Sequence, residues 1–198
     1  MVLVLAPLIL ASASASRARL LAEAGVAFIK DPADIDEGAL MQPAHEAAAV
    51  ALALAEAKAL AVSRRHPGAL VLGGDSVLAF GEELISKSPD VAAAKALLLR
   101  LSGQVHRIVS AAALARDGGI VWRHVGEGRL TMRPLSGEFL DAYLAAEAPA
   151  VLASVGCYHL EGRGAQLFDK IEGDYFSILG LPLLQVLAGL REQGALKT

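Results

Sequence analysis

Residues 69–90 read A-L-V-L-G-G-D-S-V-L-A-F-G-E-E-L-I-S-K-S-P-D. The apolar runs at 70–72 and 77–80 are typical of buried strands. Gly73-Gly74 between them indicates either a turn or a place where another group approaches the backbone closely. The pattern predicts that Asp75 lies at a strand end.

The second half of this stretch predicts a hairpin. Gly81-Glu82-Glu83 is a turn signal, and the chain after it runs back through Leu84-Ile85 to Lys87. One carboxylate and one ammonium group would then stand at the two ends of a compact unit. A turn aspartate and a solvated loop lysine would produce the same pattern, so this window leaves both interpretations open.

The composition predicts one α/β domain spanning 1–198. The chain has 198 residues, of which 55% are hydrophobic and 5% aromatic, so its core must consist largely of Ala, Leu and Val. Such cores favour helices packed on a sheet. The net charge of −3 and the pI of about 5.9 argue against a general attraction to nucleic acid or to anionic membranes. A polyanion site would have to be a local cluster of Arg and Lys.

The cysteine content and the N-terminal segment predict a cytoplasmic protein. Cys157 is the only cysteine of the chain, which excludes an intrachain disulfide. The apolar run Val2–Ala11 has no Lys or Arg before Arg17, so it lacks the basic region of a secretory signal and is interpreted as a buried strand. No apolar stretch is long enough to predict a membrane span, and the five histidines show no zinc-binding spacing.

The N-terminal region has the order strand, loop, helix, which directs free backbone N–H groups at an anion. A strand over 8–11, a loop over 12–16 and a helix over 17–24 are predicted. Arg17 adds a planar, fixed charge suited to phosphate, and the loop hydroxyls add donors. These hydroxyls belong to Ser12, Ser14 and Ser16. An N-cap serine beside surface arginines is the simpler alternative.

A predicted Ala-rich helix over 45–62 carries a candidate cation. Lys58 lies between Leu54 and Val62 at a spacing of four residues, so it shares an apolar stripe and is expected to point toward the sheet. A lysine whose stem lies along an apolar surface while its ammonium group reaches water would look the same. The acidic segment 31–37 that precedes this helix is typical of a solvated loop, but it could also supply hard oxygen ligands to a metal.

The remaining elements complete a mixed twisted sheet flanked by helices. The sequence predicts a helix that has Ser88 as its N-cap and ends at about Ser102. It also predicts a hairpin of strands over 105–116 and 120–129, a helix over 135–146, a short strand over 156–160, a strand over 167–171 and a final helix over 182–191. Segment 81–88 comes within one residue of a P-loop. It lacks the second glycine and carries Glu82-Glu83, so we exclude that motif.

Seven segments, in order along nearly the whole chain, together resemble the Maf family of nucleoside triphosphate pyrophosphatases. They are L-I-L-A-S-A-S-A-S-R-A-R-L-L (8–21), D-I-D-E (34–37), L-A-E-A-K-A (54–59), V-L-G-G-D-S (71–76), L-S-G-Q-V-H (101–106), E-G-R-G-A (161–165) and I-E-G-D-Y-F-S-I-L-G-L-P (171–182). The resemblance implies an ITPase-like architecture, hydrolysis of nucleoside triphosphates between the α and β phosphates, and clearance of modified or noncanonical nucleotides. It also suggests a homodimer.

The resemblance further implies roles for particular residues. Asp75 would activate water as the acid/base residue, and Glu37 would lie near a divalent metal, Mg²⁺ or Mn²⁺, or near the water. The phosphates would be held by Ser12, Ser14, Arg17, Lys58 and Lys87. Three positions would help to select the base, namely Ser16, Ser76 and Glu161. Glu161 replaces the glutamine of dTTP/UTP-type members and favours a preference like that for 7-methyl-GTP, because a carboxylate accepts hydrogen bonds from guanine N1–H and N2–H₂.

Two other classes of function remain open on the sequence. One is a non-catalytic regulator of cell division that binds a nucleotide or nucleic acid, although the acidic pI disfavours nucleic acid. The other is an α/β domain that binds a sugar or a phosphate without chemistry.

Overall fold

The computed structural model describes residues 7–38 and 46–197. Its strands are β1 (Leu8–Leu10), β2 (Phe28–Lys30), β3 (Leu70–Phe80), β4 (Glu83–Ile85), β5 (Val105–Arg116), β6 (Gly119–Met132) and β7 (Phe168–Gly173). Its helices are α1 (Ala15–Glu23), α2 (Ala47–Ser63), α3 (Val91–Leu101), α4 (Gly137–Glu147), α5 (Tyr175–Ile178) and α6 (Leu183–Glu192), with short 3₁₀ turns at Ala150–Ala153 and Arg163–Leu167. Residues 2–6 of the predicted N-terminal strand and His45 of the predicted helix lie outside the described residues.

Within the described residues, the strands form one mixed sheet in the order β2-β1-β3-β5-β6-β7, with β4 also paired to β3. β2, β1 and β3 run parallel, whereas β3, β5, β6 and β7 pair antiparallel. This confirms the predicted α/β class with a mixed sheet. The predicted hairpin between β5 and β6 is also confirmed, and its turn consists of Asp117 and Gly118, both at positive φ, as tight hairpin turns require.

Strand β3 differs from the prediction, because it continues through Gly73-Gly74 instead of ending there. Asp75 therefore lies in the middle of a strand and pairs with Ala111 of β5. The two glycines serve close approach, which was the other alternative. A Cβ at Gly73 would lie 2.7 Å from the backbone N of Ala59 in α2, and one at Gly74 would lie 3.2 Å from Nε of Arg17. The prediction of a strand end at Asp75 was wrong.

Helices cover both faces of the sheet. The Ala-rich helix α2 packs on the face that Val77 and Ala79 of β3 share with small residues of β5. The opposite face, which includes Leu70 and Leu72, packs against α1 and α6. Since successive side chains of a strand point to opposite faces, Asp75 faces α2 and Ser76 faces α1. The alternation in β3 thus distributes two neighbouring site residues to two sides of the sheet.

One edge of β3 contains an opening that positions the site. On that edge β1 pairs with residues 70–72 and β4 pairs with residues 78–80. Among the described residues, no strand pairs with 73–77 on this edge, while β5 pairs along the other edge. We call residues 73–77 with this unpaired edge the edge gap. Asp75 and Ser76 lie in the edge gap, so groups from both faces of the sheet can reach one space.

Two further predictions about local structure were wrong. The third helix begins after Asp90, whose carboxylate accepts a hydrogen bond from the Ala93 backbone N–H at 2.8 Å, and Ser88 is not its N-cap. Residues 156–160 form no strand and instead include Cys157 at positive φ.

Among the described residues, none of the helices combines the length and the apolar character that crossing a lipid bilayer requires.

His106 belongs to β5, and its side chain lies in the core beside the segment around Tyr158. Its side chain is 1% exposed, and Nε2 lies 2.7 Å from the Tyr158 hydroxyl oxygen. Because burial disfavours the imidazolium, it lowers the pKa of His106 to about 4. In the unfolded chain the histidine pKa is about 6.5. The unfolded state therefore binds one more proton than the folded state between these two pH values.

We expect His106 to make the protein less stable as the pH falls from about 6.5 to about 4. The free energy of unfolding should lose about 1.4 kcal/mol per pH unit from this residue, and the loss should level off below the folded pKa. The measurement is denaturant unfolding of the wild type and of His106→Gln, which cannot titrate. Equal pH slopes for the two proteins would contradict this account.

Candidate active site

A cavity of about 1060 Å³ opens at the edge gap. All ten residues that the sequence analysis singled out line it: Ser12, Ser14, Ser16, Arg17, Glu37, Lys58, Asp75, Ser76, Lys87 and Glu161. They come from α1 and the loop before it, the segment before α2, α2 itself, β3, the segment after β4 and the loop at 161. The fold thus brings together residues that are up to about 150 positions apart.

Lys58 is the centre of charge on the α2 side of the cavity. Its side chain is 9% exposed, and its Nζ lies 2.6 Å from Oδ1 of Asp75 and 2.6 Å from Oε1 of Glu37. The prediction that Lys58 points toward the sheet is therefore confirmed. Burial raises the pKa of Glu37, but the hydrogen bond and charge of Lys58 outweigh burial, and the pKa is lowered overall. One ammonium group is thus shared by two carboxylates.

Arg17 lies on the other side of the edge gap and is held in a fixed orientation. It is 8% exposed, and its guanidinium donates to the Gly180 carbonyl oxygen at 2.8 Å, to Ser12 Oγ at 3.0 Å and to Ser76 Oγ at 2.9 Å. Burial lowers the pKa of Arg17, while the charges of Asp75 and Glu37 oppose that shift. An arginine stays charged under such conditions, so the side chain is an anchored cation beside the cavity.

The serines before α1 support this arrangement through local hydrogen bonds. Ser14 is the N-cap of the helix and accepts from the Arg17 backbone N–H at 3.3 Å. Ser12 accepts from the Ser14 backbone N–H as well as from the guanidinium. The N-cap alternative therefore holds for Ser14, although the same residues also line the cavity. Whether these hydroxyls donate to an anion stays a prediction.

Lys87 reaches the cavity from the segment between β4 and α3. Its charge acts on Glu37 and contributes to the lowered pKa of that carboxylate. Arg17, Lys58 and Lys87 thus converge on the cavity that Asp75 lines, as the sequence analysis expected of them. Three positive side chains against two carboxylates leave this end of the cavity with a surplus of positive charge.

The sequence analysis missed several residues of the cavity. Arg19 forms an ion pair with Glu161, and Gly180 accepts from Arg17 at a φ of 109°, which a side chain rarely allows. Tyr158 and Leu160 line the cavity from the segment that was predicted to be a strand. The spacing Arg17-Ala18-Arg19 indicates only that the two arginines point to different sides of α1, and the partner of Arg19 is 142 residues away.

The donor chemistry of Asp75 and Glu37 suits a divalent cation. Both carboxylates contact the ammonium group of Lys58, so two hard oxygen donors lie near each other beside the cavity. Among residues 7–38 and 46–197 no group of three or more His, Cys, Asp and Glu side chains is placed to hold a metal. Mg²⁺ commonly takes one or two carboxylates and completes its shell with water and substrate phosphates. The pair therefore fits a metal that binds together with a phosphorylated ligand.

Comparison with known proteins places the chain in a family. A 7-methyl-GTP pyrophosphatase of Mesorhizobium japonicum is 51% identical over 193 residues, covering 96% of this chain and 97% of that protein. A nucleoside triphosphate pyrophosphatase of Paramagnetospirillum magneticum is 49% identical over 191 residues, covering 94% of this chain and 98% of that protein. A solved nucleoside-triphosphatase / dITP/XTP pyrophosphatase from Mycobacterium abscessus aligns with a TM-score of 0.40 at 20% identity, covering 73% of this chain and 99% of that one, a likeness too low to bear on the assignment. A family model described as Maf-like protein matches residues 7–193, and this chain therefore belongs to the Maf-like protein family.

Proposed function

We propose that this protein hydrolyses nucleoside triphosphates between the α and β phosphates, releasing a nucleoside monophosphate and pyrophosphate. The observation that carries the proposal is the convergence of Arg17, Lys58 and Lys87 on the cavity lined by Asp75. Relatives that are about 50% identical over nearly the full chain bear the names of such pyrophosphatases. The biological role would be the removal of modified or noncanonical nucleotides.

The cations match the charge of the substrate. A nucleoside triphosphate carries about four negative charges near neutral pH, and more charge accumulates on the phosphoryl oxygens as the linkage breaks. Arg17 is held by three acceptors of its own chain, so it needs little rearrangement to offer its remaining N–H groups to a phosphate. Lys58 supplies charge from the α2 side of the cavity, and Lys87 supplies charge from the segment after β4. Fixed cations of this kind stabilise the transition state more than the bound substrate.

Asp75 would act as the general base. Its carboxylate takes a proton from a water molecule while the water oxygen bonds to the α phosphorus, and the bridging oxygen leaves with the pyrophosphate. Lys58 holds the Asp75 carboxylate at 2.6 Å, which fixes its orientation. Glu37 contacts the same ammonium group but is half exposed, so Lys58 can exchange its contact with Glu37 for one with an incoming phosphate while it stays paired with the buried Asp75. Positioned acid–base catalysis of this kind contributes about 10²–10⁴ to a rate.

Asp75 and Glu37 are the residues that would hold a divalent metal, Mg²⁺ or Mn²⁺. Such an ion polarises phosphoryl oxygens and neutralises part of their charge.

The base preference we propose is for 7-methyl-GTP over dTTP and UTP. Glu161 lines the cavity with a side chain that is 23% exposed, so its carboxylate can face a base. A carboxylate accepts from guanine N1–H and N2–H₂, whereas the O2 carbonyl of a pyrimidine would be repelled. The name of the relative from Mesorhizobium japonicum agrees with this preference.

A panel of nucleoside triphosphates tests the function. With Mg²⁺ or Mn²⁺ we expect pyrophosphate and no orthophosphate, a higher kcat/KM for 7-methyl-GTP than for dTTP and UTP, and loss of turnover when the metal is removed with EDTA. Comparable turnover of 7-methyl-GTP and dTTP would contradict the preference alone. Tight nucleotide binding without pyrophosphate release would contradict catalysis and favour the non-catalytic regulator.

A further inference from the structure

Helix α1 carries two arginines that line the cavity from different sides. Arg17 and Arg19 are two residues apart, which is about 200° around a helix. Arg17 is buried against Ser76 and Gly180, whereas Arg19 is 46% exposed and contacts Glu161. The N-terminal turns of α1 therefore lie between two ends of the cavity. One end contains Arg17, Lys58 and Asp75, and the other contains Arg19 and Glu161.

The ion pair of Arg19 and Glu161 lies at a boundary between two cavities. Both residues line the main cavity and also a neighbouring cavity of about 330 Å³. Apolar side chains surround this region, from Leu160, Ile178 and Leu179 in the main cavity to Leu20 and Phe176 in the smaller one. If the phosphates lie at Lys58 and Asp75, the flat, largely apolar base of the same nucleotide lies toward this pair.

The pair presents one donor and one acceptor side by side. Arg19 donates to Oε1 of Glu161, and a guanidinium can only donate while a carboxylate can only accept. The edge of guanine has the complementary order, with the O6 acceptor followed by the N1–H and N2–H₂ donors. Adenine would direct its N6 donor at the guanidinium. Uracil and thymine resemble guanine in having a carbonyl acceptor followed by a ring N–H donor. They differ in having a second carbonyl where guanine has the N2 amino group, and a carbonyl cannot donate to Glu161.

We propose that Arg19 is a specificity-determining residue, which donates to O6 of a guanine-type base while Glu161 accepts from N1–H and N2–H₂. The proposal rests on the proposed function, because it concerns the base of the same nucleotide. It assigns a role to a residue that the sequence analysis did not single out. It also explains why a cavity for an anionic ligand has a carboxylate at one end, since Arg19 balances that charge.

Nucleotides that differ at single positions of this edge provide the test. 6-Thio-GTP replaces O6 by sulfur, a weaker acceptor, and ITP lacks only the N2 amino group. In the wild type, we expect kcat/KM for GTP to exceed that for 6-thio-GTP by about tenfold, the worth of a hydrogen bond to a charged group. In Arg19→Ala this ratio should fall to about one, while the preference for GTP over ITP persists because it depends on Glu161.

Arg107→Ala is the matched control. Arg107 is also partly exposed and pairs with one carboxylate, Glu127, at 3.0 Å, but it lines neither of the two cavities. This variant should keep both substrate ratios of the wild type. If Arg19→Ala lowers kcat/KM equally for all three nucleotides, Arg19 is merely structural and the proposal is overturned. An unchanged ratio of GTP to 6-thio-GTP overturns it as well. Absence of pyrophosphate release by the wild type would instead overturn the proposed function.

Discussion

Asp75→Asn is expected to lower kcat for pyrophosphate release by about a thousandfold while the fold remains intact. The asparagine amide has nearly the shape of the carboxylate, and its oxygen can still accept from Lys58 Nζ. It cannot take a proton from water, so the loss should appear in kcat. Glu37 remains as a charged partner of Lys58, which limits the effect on stability. The measurement is steady-state pyrophosphate release together with thermal unfolding.

A control for this variant is Asp141→Asn, the same chemical change on the surface. Asp141 is 64% exposed and pairs with Lys95 at 2.6 Å, a kind of contact that contributes little. Its kcat should equal that of the wild type. If Asp75→Asn retained more than a tenth of the wild-type kcat, Asp75 would not be the general base.

Gly73→Ala is expected to cost about 3 kcal/mol or more of the free energy of unfolding. An added methyl group would lie 2.7 Å from the backbone N of Ala59 and closer still to the carbonyl oxygen of Ala55. Both atoms belong to the main chain of α2, which cannot move without disturbing its packing on β3 and β5. Denaturant unfolding measures the loss as a lower midpoint at an unchanged slope.

The same substitution at Gly137 separates steric overlap from glycine chemistry. Gly137 is the first residue of α4, and a Cβ there would have no heavy atom within 4 Å. Gly137→Ala should be neutral or stabilising by about 0.5 kcal/mol, because alanine loses less backbone entropy. If both variants had the same stability, the close approach of α2 would not be what requires glycine at position 73.

Side-chain periodicity predicted Lys58 well, because the spacing from Leu54 to Val62 fixes a helix face whatever packs on it. Its two partners depend on the rest of the chain. Asp75 lies 17 residues away and pairs with Lys58 only because α2 crosses β3 at Gly73. The orientation of the cation could therefore be predicted, whereas the sharing of one ammonium group between two carboxylates could not.

The errors have local explanations. Judged from its sequence neighbours alone, Gly73-Gly74 is typical of a turn. In the structure, however, glycine is required at 73 by the contact with α2 and at 74 by the contact with Arg17. Ser88 and Asp90 are both good N-caps, and the choice between them depends on where the chain enters α3. Arg19 was missed because its significance comes from Glu161, which is 142 residues further along the chain.

The edge gap also bears on how the protein avoids association with other chains. An unpaired strand edge is a template on which a foreign strand can add, and soluble proteins protect such edges. Here β1 and β4 close both ends of the unpaired segment, which spans 73–77. An intruding strand would have to enter a recess between two strands that are already in place. The chain can thus leave the main-chain groups of the edge gap without a strand partner beside its cavity and still be protected against the addition of a foreign strand.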